Sequence, residues 1–195
     1  FWIFYRDGAW IHKHPDGVIV DRKITFMDTL ANFKSMTKDV WEFVYHPKEN
    51  DVVIDVGAGI GTEVYYYSKA VGQKGKVVAI EAHPETYHCL CKFCQYNQLR
   101  NVVLVNAAIG ADESEVLIDD NVKHVSSTII GTKTGRRVRC VPLDLLMVNL
   151  KIPRIDFLKM NIEGAEKYAI MGMSKSIKKI KYICISCHDF KADSE

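Results

Sequence analysis

The stretch Asp51-Val-Val-Ile-Asp-Val-Gly-Ala-Gly-Ile-Gly-Thr-Glu63 decides the fold, because it joins an apolar segment to three alternating glycines and then to a helical pattern. An unbroken apolar run such as Val52-Val53-Ile54 is typical of a buried parallel strand. Gly57, Gly59 and Gly61 allow the chain to turn sharply and to approach a ligand without an obstructing Cβ atom. The stretch therefore predicts a strand, a tight loop and a helix, with part of a nucleotide held at the loop.

Two phosphate-binding patterns fit this loop poorly. The dinucleotide fingerprint would need glycine where Thr62 stands, and a P-loop would need Gly-Lys-Ser/Thr after the glycines. Glu81 ends the second apolar run, Lys76–Glu81, about twenty residues after the glycines, where a carboxylate can accept both hydrogen bonds of a ribose 2′,3′-diol. An NAD enzyme also has an acid at this place, so Glu81 alone does not separate the two classes.

With Asp55 two residues before the first glycine and Glu81 after the next strand, the loop resembles motif I of the Rossmann-like S-adenosylmethionine-dependent methyltransferases. The alternative is an ordinary strand-to-helix turn. The resemblance implies a site for a nucleoside without phosphates. It implies S-adenosylmethionine as the cofactor, with Asp55, Gly57, Gly59, Gly61 and Glu81 as cofactor-binding residues.

Length and composition narrow the class of protein. At 195 residues, 48% hydrophobic and 26% charged, the chain is long enough for one well-buried domain. A formal net charge of +2 gives little reason to expect a nucleic acid as partner. No run approaches the roughly 18 apolar residues that a membrane span needs, and no signal peptide opens the chain. We therefore expect a cytoplasmic protein that binds neither nucleic acid nor membrane.

The spacing of the cysteine and histidine residues does not predict a metal site. Cys91 and Cys94 are expected on the apolar stripe of a helix, with Cys89 facing another way, and no cysteine pair is interpreted as a zinc knuckle. Reduced thiols of a cytosolic protein fit best. His12 and His14 flank a turn without a third ligand at metal spacing, so they are expected to be solvated turn residues.

The remaining pattern predicts an α/β fold with a doubly wound, mostly parallel sheet and right-handed crossovers, because strands and helices alternate along the chain. We expect residues 1–50 to form an N-terminal extension packed on the core. It contains a β-hairpin around Lys13–Gly17 and a helix from Asp28 to Tyr45. The hairpin is expected to cover an edge or a pocket. Residues 51–195 form the predicted cofactor-binding domain. A short β insertion is expected between Asp112 and Val141, after the third strand.

The third strand, Val102–Asn106, is followed by Ala107-Ala108-Ile109-Gly110. At this place the methyltransferase fold positions the adenine ring between backbone and small side chains. The resemblance therefore implies Asn106 and Ala107 as further cofactor-binding residues. The ligand is expected at the carboxyl ends of the strands.

A narrower resemblance comes from four further segments. The FkbM family of methyltransferases resembles this chain over about Asp51 to His188, through Ile155-Asp-Phe-Leu-Lys-Met-Asn-Ile-Glu-Gly-Ala-Glu166, Asn106-Ala-Ala-Ile-Gly110, Ser126-Ser127 and Leu143-Asp144. The resemblance implies O-methylation of a hydroxyl on a small molecule or glycan, such as a sugar or a secondary metabolite.

Two positions depart from that family's pattern. Its aspartate at the end of the fourth central strand is Asn161 here, and its Glu-x-His on the fifth strand is Ser186-Cys187-His188. Asn161 keeps the hydrogen-bonding shape but cannot act as a base. The predicted catalytic residues are therefore Asn161, Glu163 and His188, at one rim of adjacent parallel strands. The alternatives are a helix-terminal carboxylate for Glu163 and a surface position for His188.

Two other function classes stay open at this point. A protein of the same fold that binds the cofactor with weak or lost catalysis would account for Asn161 and Ser186, and a nicotinamide-dependent oxidoreductase is disfavoured by Thr62. A sheet of this type normally has two further strands, so we also expect a truncated sheet. Its exposed edge would be covered by a second copy in a homodimer or by residues beyond Glu195.

Overall fold

The computed structural model of the chain describes residues 1–24, 29–119 and 135–187. His188, Ser126 and Ser127 lie outside the described residues, as do residues 120–134 of the predicted β insertion.

The chain begins with a three-stranded antiparallel sheet in the order β1 (Trp2–Arg6), β2 (Ala9–His14), β3 (Gly17–Asp21). The predicted hairpin is confirmed as β2 and β3, and β1 adds a strand that we did not predict. The expectation for His12 is wrong. His12 is buried, because it lies inside the middle strand of this sheet and not in the turn.

The first helix, α1 (Leu30–Met36), continues into a π-helical turn at Thr37–Trp41. It ends before the predicted Tyr45, because Phe43 and Val44 are exposed and their apolar character does not reflect burial against the core.

The central elements follow in the order β4 (Val52–Val56), α2 (Thr62–Val71), β5 (Lys76–Glu81), α3 (Pro84–Tyr96), β6 (Val102–Asn106), β7 (Ala108–Ile109), β8 (Ser114–Ile118), β9 (Arg136–Val141), α4 (Leu143–Asn149), β10 (Ile155–Met160), α5 (Glu166–Met171), a 3-10 helix (Ser176–Lys179) and β11 (Ile180–Ile185). Five of these strands form a parallel sheet in the order β11-β10-β4-β5-β6. β7, β9 and β8 form a separate small sheet. The predicted α/β fold and β insertion are thus confirmed.

Alternation along the central strands sends side chains to two hydrophobic clusters, one on each face of the sheet. Val53 and Val77 belong to a cluster with α2, α3 and the N-terminal strands, whereas Ile54 and Val78 belong to a cluster with α4. The N-terminal segment thus shares one core cluster with the central sheet. The division of the chain at residue 50 stays a prediction.

The burial of α3 differs from the predicted stripe. Cys89 is fully buried together with Leu90 and Phe93, whereas Cys91 is half-buried. The reason is that α3 contacts β3 as well as β5 and β6, so a wider part of its surface is covered. No helix in the described ranges is long and apolar enough to cross a membrane.

Candidate cofactor-binding site

A cavity of about 350 Å³ lies at the carboxyl ends of the central strands, within the size range of small-molecule sites. One part of its lining, the cofactor wall, consists of Gly57, Gly59, Glu81 and Ala107. Another part, the N-terminal wall, consists of Ile19, Asp21, Phe33 and Met36. The cavity is therefore shared between the parallel sheet and the N-terminal segment.

The glycines of the loop have different structural reasons. Gly57 has φ +78°, and a Cβ atom there would lie 1.9 Å from the carbonyl oxygen of Asn161. A Cβ atom at Gly61 would lie 2.7 Å from Leu90 Cδ1, so this glycine allows α2 to pack closely on α3. Gly59 has φ +57° and open space around the Cβ position. Of the three, Gly59 leaves the most room for a ligand.

The loop is attached to the end of β5. The backbone N–H groups of Gly57 and Ala58 both donate to the carbonyl of Ile80, at 3.0 Å each. The N–H of Gly59 donates to Glu81 Oε2 at 2.9 Å, and the N–H of His83 donates to Glu81 Oε1 at 2.8 Å. The Glu81 side chain is thus held in one orientation at the cavity.

Glu81 keeps the capacity to bind a ligand. A carboxylate has about four lone-pair sites, so two remain after the bonds from Gly59 and His83. Burial raises the pKa of Glu81 to about 7, although the two backbone donors act in the opposite direction. Its charge therefore changes near neutral pH.

Asp55, predicted as a cofactor-binding residue, does not line the cavity. It is 0% exposed, and its Oδ1 lies 2.9 Å from Nζ of Lys159, its cross-strand partner on β10. Burial raises the pKa of Asp55 to about 6, and the charge of Lys159 limits the rise. Burial lowers the pKa of Lys159, but the charges of Asp55 and Glu63 outweigh it, so the pKa is raised. The two groups form an ion pair at neutral pH.

Lys159 was not predicted as a site residue, yet it lines the cavity and donates to the carbonyl of Gly57 at 2.9 Å. The signal in the sequence is a lysine inside the otherwise apolar end of Ile155–Met160. A buried lysine needs a partner, and only the sheet register shows that this partner is Asp55.

Asn161 and Glu163 follow β10 and both line the cavity. The N–H of Asn161 donates to the carbonyl of Val56 at 2.9 Å, while its Oδ1 is buried with no hydrogen-bond partner among the described residues. Glu166 holds the turn between them, since it accepts from the N–H groups of Ile162 and Gly164 at 3.1 and 2.9 Å. The turn presents one acceptor oxygen and one carboxylate to the cavity.

Six of the predicted site residues line this single cavity: Gly57, Gly59, Glu81, Ala107, Asn161 and Glu163. Gly61 and Asn106 do not line it, and the Asn106 amide instead donates to the carbonyls of Glu81 and Ala82 at 2.8 and 3.1 Å. His188 lies outside the described residues. Within the described ranges, no group of three His, Cys, Asp or Glu side chains is arranged to hold a metal ion.

A family model described as "Methyltransferase FkbM domain" matches residues 55–195, which is more than half of the chain. The chain belongs to the FkbM methyltransferase family.

Two individual proteins are similar to parts of this chain. The hexuronic acid methyltransferase AglP of Haloferax volcanii is 22% identical over 145 residues, which cover 72% of this chain and 57% of that protein. A tRNA(Phe) (4-demethylwyosine(37)-C(7)) aminocarboxypropyltransferase of Methanocaldococcus jannaschii is 39% identical over 75 residues, 37% of this chain and 27% of that protein. The chain thus spans less than two thirds of the length of both relatives.

A crystal structure of methyltransferase FkbM from Methylobacillus flagellatus KT has the same fold as this chain. Its TM-score is 0.54 at 17% identity, over 76% of this chain and 36% of that one. This likeness supports the Rossmann-like arrangement of the FkbM-family chain described above.

Proposed function

We propose that this FkbM-family chain transfers the methyl group of S-adenosylmethionine to a hydroxyl of a sugar, a glycan or a secondary metabolite. The observation that carries the proposal is one cavity that contains both the glycine loop with Glu81 and the turn with Asn161 and Glu163. The relative described as a hexuronic acid methyltransferase supports an acceptor of the sugar class.

The lining of the cavity suggests how the cofactor lies in it. Glu81, with two free lone-pair sites, suits the ribose diol. The apolar side chains of Ala107 and Ile109 after β6 suit the adenine ring. The amino-acid end is then left to the polar part at the ends of β4 and β10, which includes Gly57, Lys159 and Asn161.

The reaction asks little chemistry of the protein. The sulfonium of the bound cofactor supplies an electrophilic methyl group, so the protein contributes mainly by holding a hydroxyl oxygen in line with it. In this proposal Asn161 Oδ1 accepts a hydrogen bond from the cofactor's amino group or from the acceptor hydroxyl. Glu163 is the proposed base within the described residues, and a base role for His188 stays a prediction.

The acceptor enters, in this proposal, along the N-terminal wall. Phe33 and Met36 provide apolar surface there, and Asp21 provides a carboxylate for hydroxyl groups. Such a mixture of apolar surface and one charged group suits a sugar ring, which has apolar faces and polar edges.

The test is an acceptor screen with the purified chain, S-adenosylmethionine and a panel of uronic acids, neutral sugars and phenols, with products identified by mass spectrometry. A methylated hydroxyl supports the proposal. A product that gains an aminocarboxypropyl group would refute methyl transfer. Binding of S-adenosylmethionine without any product would favour the protein with lost catalysis, and binding of NAD alone would favour an oxidoreductase.

Asn161→Asp separates two explanations of the asparagine. A gain of turnover with unchanged cofactor affinity would mean that the native asparagine leaves the site without a base that it could use. A loss of turnover would mean that neutral hydrogen bonding is required at this position. Glu163→Gln is the companion variant, because it removes the proposed base and keeps the side-chain shape.

We also propose that the chain forms a homodimer. In the described part of the chain, β11 is one of the two edge strands of the central sheet, and Ile183 on it is exposed. An exposed edge offers unpaired backbone groups to another strand. Sedimentation over a range of concentrations tests this, and a strict monomer would contradict it.

A further inference from the structure

Lys159 is a charged side chain in one of the most buried strands of the protein. It is 2% exposed, and all six residues of β10 are buried. A lysine in such a place destabilises the fold unless its charge is compensated. The groups around its ammonium group are therefore expected to compensate the charge.

Three parts of the chain meet at the Lys159 ammonium group. Asp55 on β4 lies 2.9 Å from it, and the carbonyl of Gly57 in the glycine loop accepts a hydrogen bond from it, also at 2.9 Å. The ring of Trp41, from the N-terminal segment, lies over it with 5.0 Å between Nζ and the ring centroid, which is within cation–π range. Lys159 also lines the cavity, whereas Asp55 does not.

Three contacts fix the backbone at Gly57. Its N–H is bonded to Ile80, the Asn161 carbonyl fills the space where a Cβ atom would be, and its own carbonyl is bonded to Lys159. Gly57 also lines the cavity at the end of β4, so the direction of its carbonyl contributes to the shape of the cavity there. That is the part left for the amino-acid end of the cofactor.

We propose that Lys159 is a positioning residue of the cofactor site: held by Asp55, its ammonium group fixes the Gly57 carbonyl and thereby shapes the part of the cavity that receives the cofactor's amino-acid end. This inference rests on the proposed function, since it assumes that the cavity binds S-adenosylmethionine. The raised pKa of Lys159, caused by Asp55 and Glu63 against the effect of burial, agrees with an ammonium group that stays charged.

A simpler reading is that Lys159 only neutralises the buried charge of Asp55. The two readings differ in what happens when both charges are removed. Replacing both partners of a buried ion pair is often tolerated, whereas removing one leaves an uncompensated charge. The double variant Asp55→Asn/Lys159→Met should therefore fold, yet it still lacks the hydrogen bond to Gly57.

The measurement is calorimetric binding of three probes: S-adenosylmethionine, S-adenosylhomocysteine, and 5′-methylthioadenosine, which has the adenine and ribose but no amino-acid end. In the double variant we expect about tenfold weaker binding of the first two probes, as for the loss of one charge-assisted hydrogen bond. Binding of 5′-methylthioadenosine should change less than about twofold, since its contacts lie elsewhere in the cavity. Lys159→Met alone should show the same pattern with a lower melting temperature.

Tyr67→Phe is the matched control. Tyr67 is fully buried near Asp55, its hydroxyl has no hydrogen-bond partner in the described ranges, and it does not line the cavity. The Tyr67→Phe variant should bind all three probes as the wild type does.

The outcomes separate this inference from the proposed function. If the double variant binds all three probes like the wild type, Lys159 only compensates charge and the inference is wrong. If it weakens all three equally, the effect is general loosening and the inference is also wrong. If the wild-type chain binds none of the probes, the proposed function itself fails.

Discussion

The two walls of the cavity are held in place by different kinds of interaction. The cofactor wall is fixed mainly through the backbone, since Gly57, Gly59 and Glu81 are bound to one another or to the end of β5 by hydrogen bonds of 2.9 to 3.0 Å. The N-terminal wall instead presents side chains from β3 and α1, and Met36 on it is 45% exposed. We infer that cofactor binding tolerates little change in its wall, whereas the N-terminal wall can change with the acceptor.

The largest expected effect is that of Gly57→Ala, which tests whether the cofactor wall depends on backbone fit. The new Cβ atom would lie 1.9 Å from a backbone oxygen of Asn161, at φ +78°. Because neither backbone can yield easily, we expect a loss of about 3–5 kcal/mol in the free energy of unfolding. Urea denaturation followed by circular dichroism measures it.

Gly59→Ala is the control for this experiment. Its Cβ atom meets nothing within 4 Å, so only the strain of φ +57° remains, about 1–2 kcal/mol. The variant should fold but bind S-adenosylmethionine poorly, because the methyl group occupies space next to the loop. Equal stability of the two alanine variants would contradict the close approach of the loop to β10.

Glu81→Ala comes next and tests the ribose assignment within the cofactor wall. Losing a carboxylate that bridges two hydroxyl groups typically costs about 2–3 kcal/mol, roughly 30- to 150-fold in Kd. Calorimetry with S-adenosylmethionine measures the change. Glu115→Ala is the control, since Glu115 is exposed on β8 and does not line the cavity. Wild-type affinity in Glu81→Ala would make the ribose assignment wrong.

Part of this cavity could be predicted from the sequence, and part could not. The order of strand, glycine loop and helix was predictable because strand periodicity and helix punctuation are local signals, and so was Glu81 at the end of β5. The pairing of Asp55 with Lys159 was not, because it depends on β10 lying beside β4, about a hundred residues apart in the chain. The N-terminal wall was foreseen only as a cover for an edge or pocket.

Other residues also lie in places that the sequence did not predict, because contacts between distant segments position them. Asp55 and Gly61 have the right spacing for a ligand, yet they face Lys159 and α3. Cys89 is buried because β3 covers a face of α3 that the helical pattern alone leaves open. These residues are placed by packing between distant segments, which periodicity does not encode.

The pH dependence of cofactor binding gives a third, intermediate effect. The pKa of Glu81 is raised to about 7 by burial, and only the charged carboxylate accepts from both ribose hydroxyls. The Kd for S-adenosylmethionine should therefore fall, up to about tenfold, as pH rises from about 6 to about 8.

The stability of the unliganded protein should change in the opposite direction over this range. A raised pKa in the folded state means that the contribution of neutral Glu81 is fully present below its ordinary pKa and is lost as pH rises through about 7. Glu81→Gln removes the titrating carboxyl group. The pH dependence that Glu81 gives to the Kd for S-adenosylmethionine and to the free energy of unfolding should then disappear. Unchanged pH profiles in this variant would assign the titration to another group.

The smallest expected effect is that of Met36→Ala, which tests the N-terminal wall directly. Met36 is 45% exposed and lines the cavity, so its truncation should change the free energy of unfolding by less than about 1 kcal/mol. Because it lies on the N-terminal wall, the Kd for S-adenosylmethionine should stay within about twofold of the wild type. The KM for the best acceptor from the hydroxyl screen should rise about three- to tenfold, as for the loss of apolar contact with a substrate. If instead the cofactor affinity fell as far as in Glu81→Ala while the acceptor KM stayed constant, Met36 would belong to the cofactor site. The division of the cavity into two independently variable walls would then be wrong.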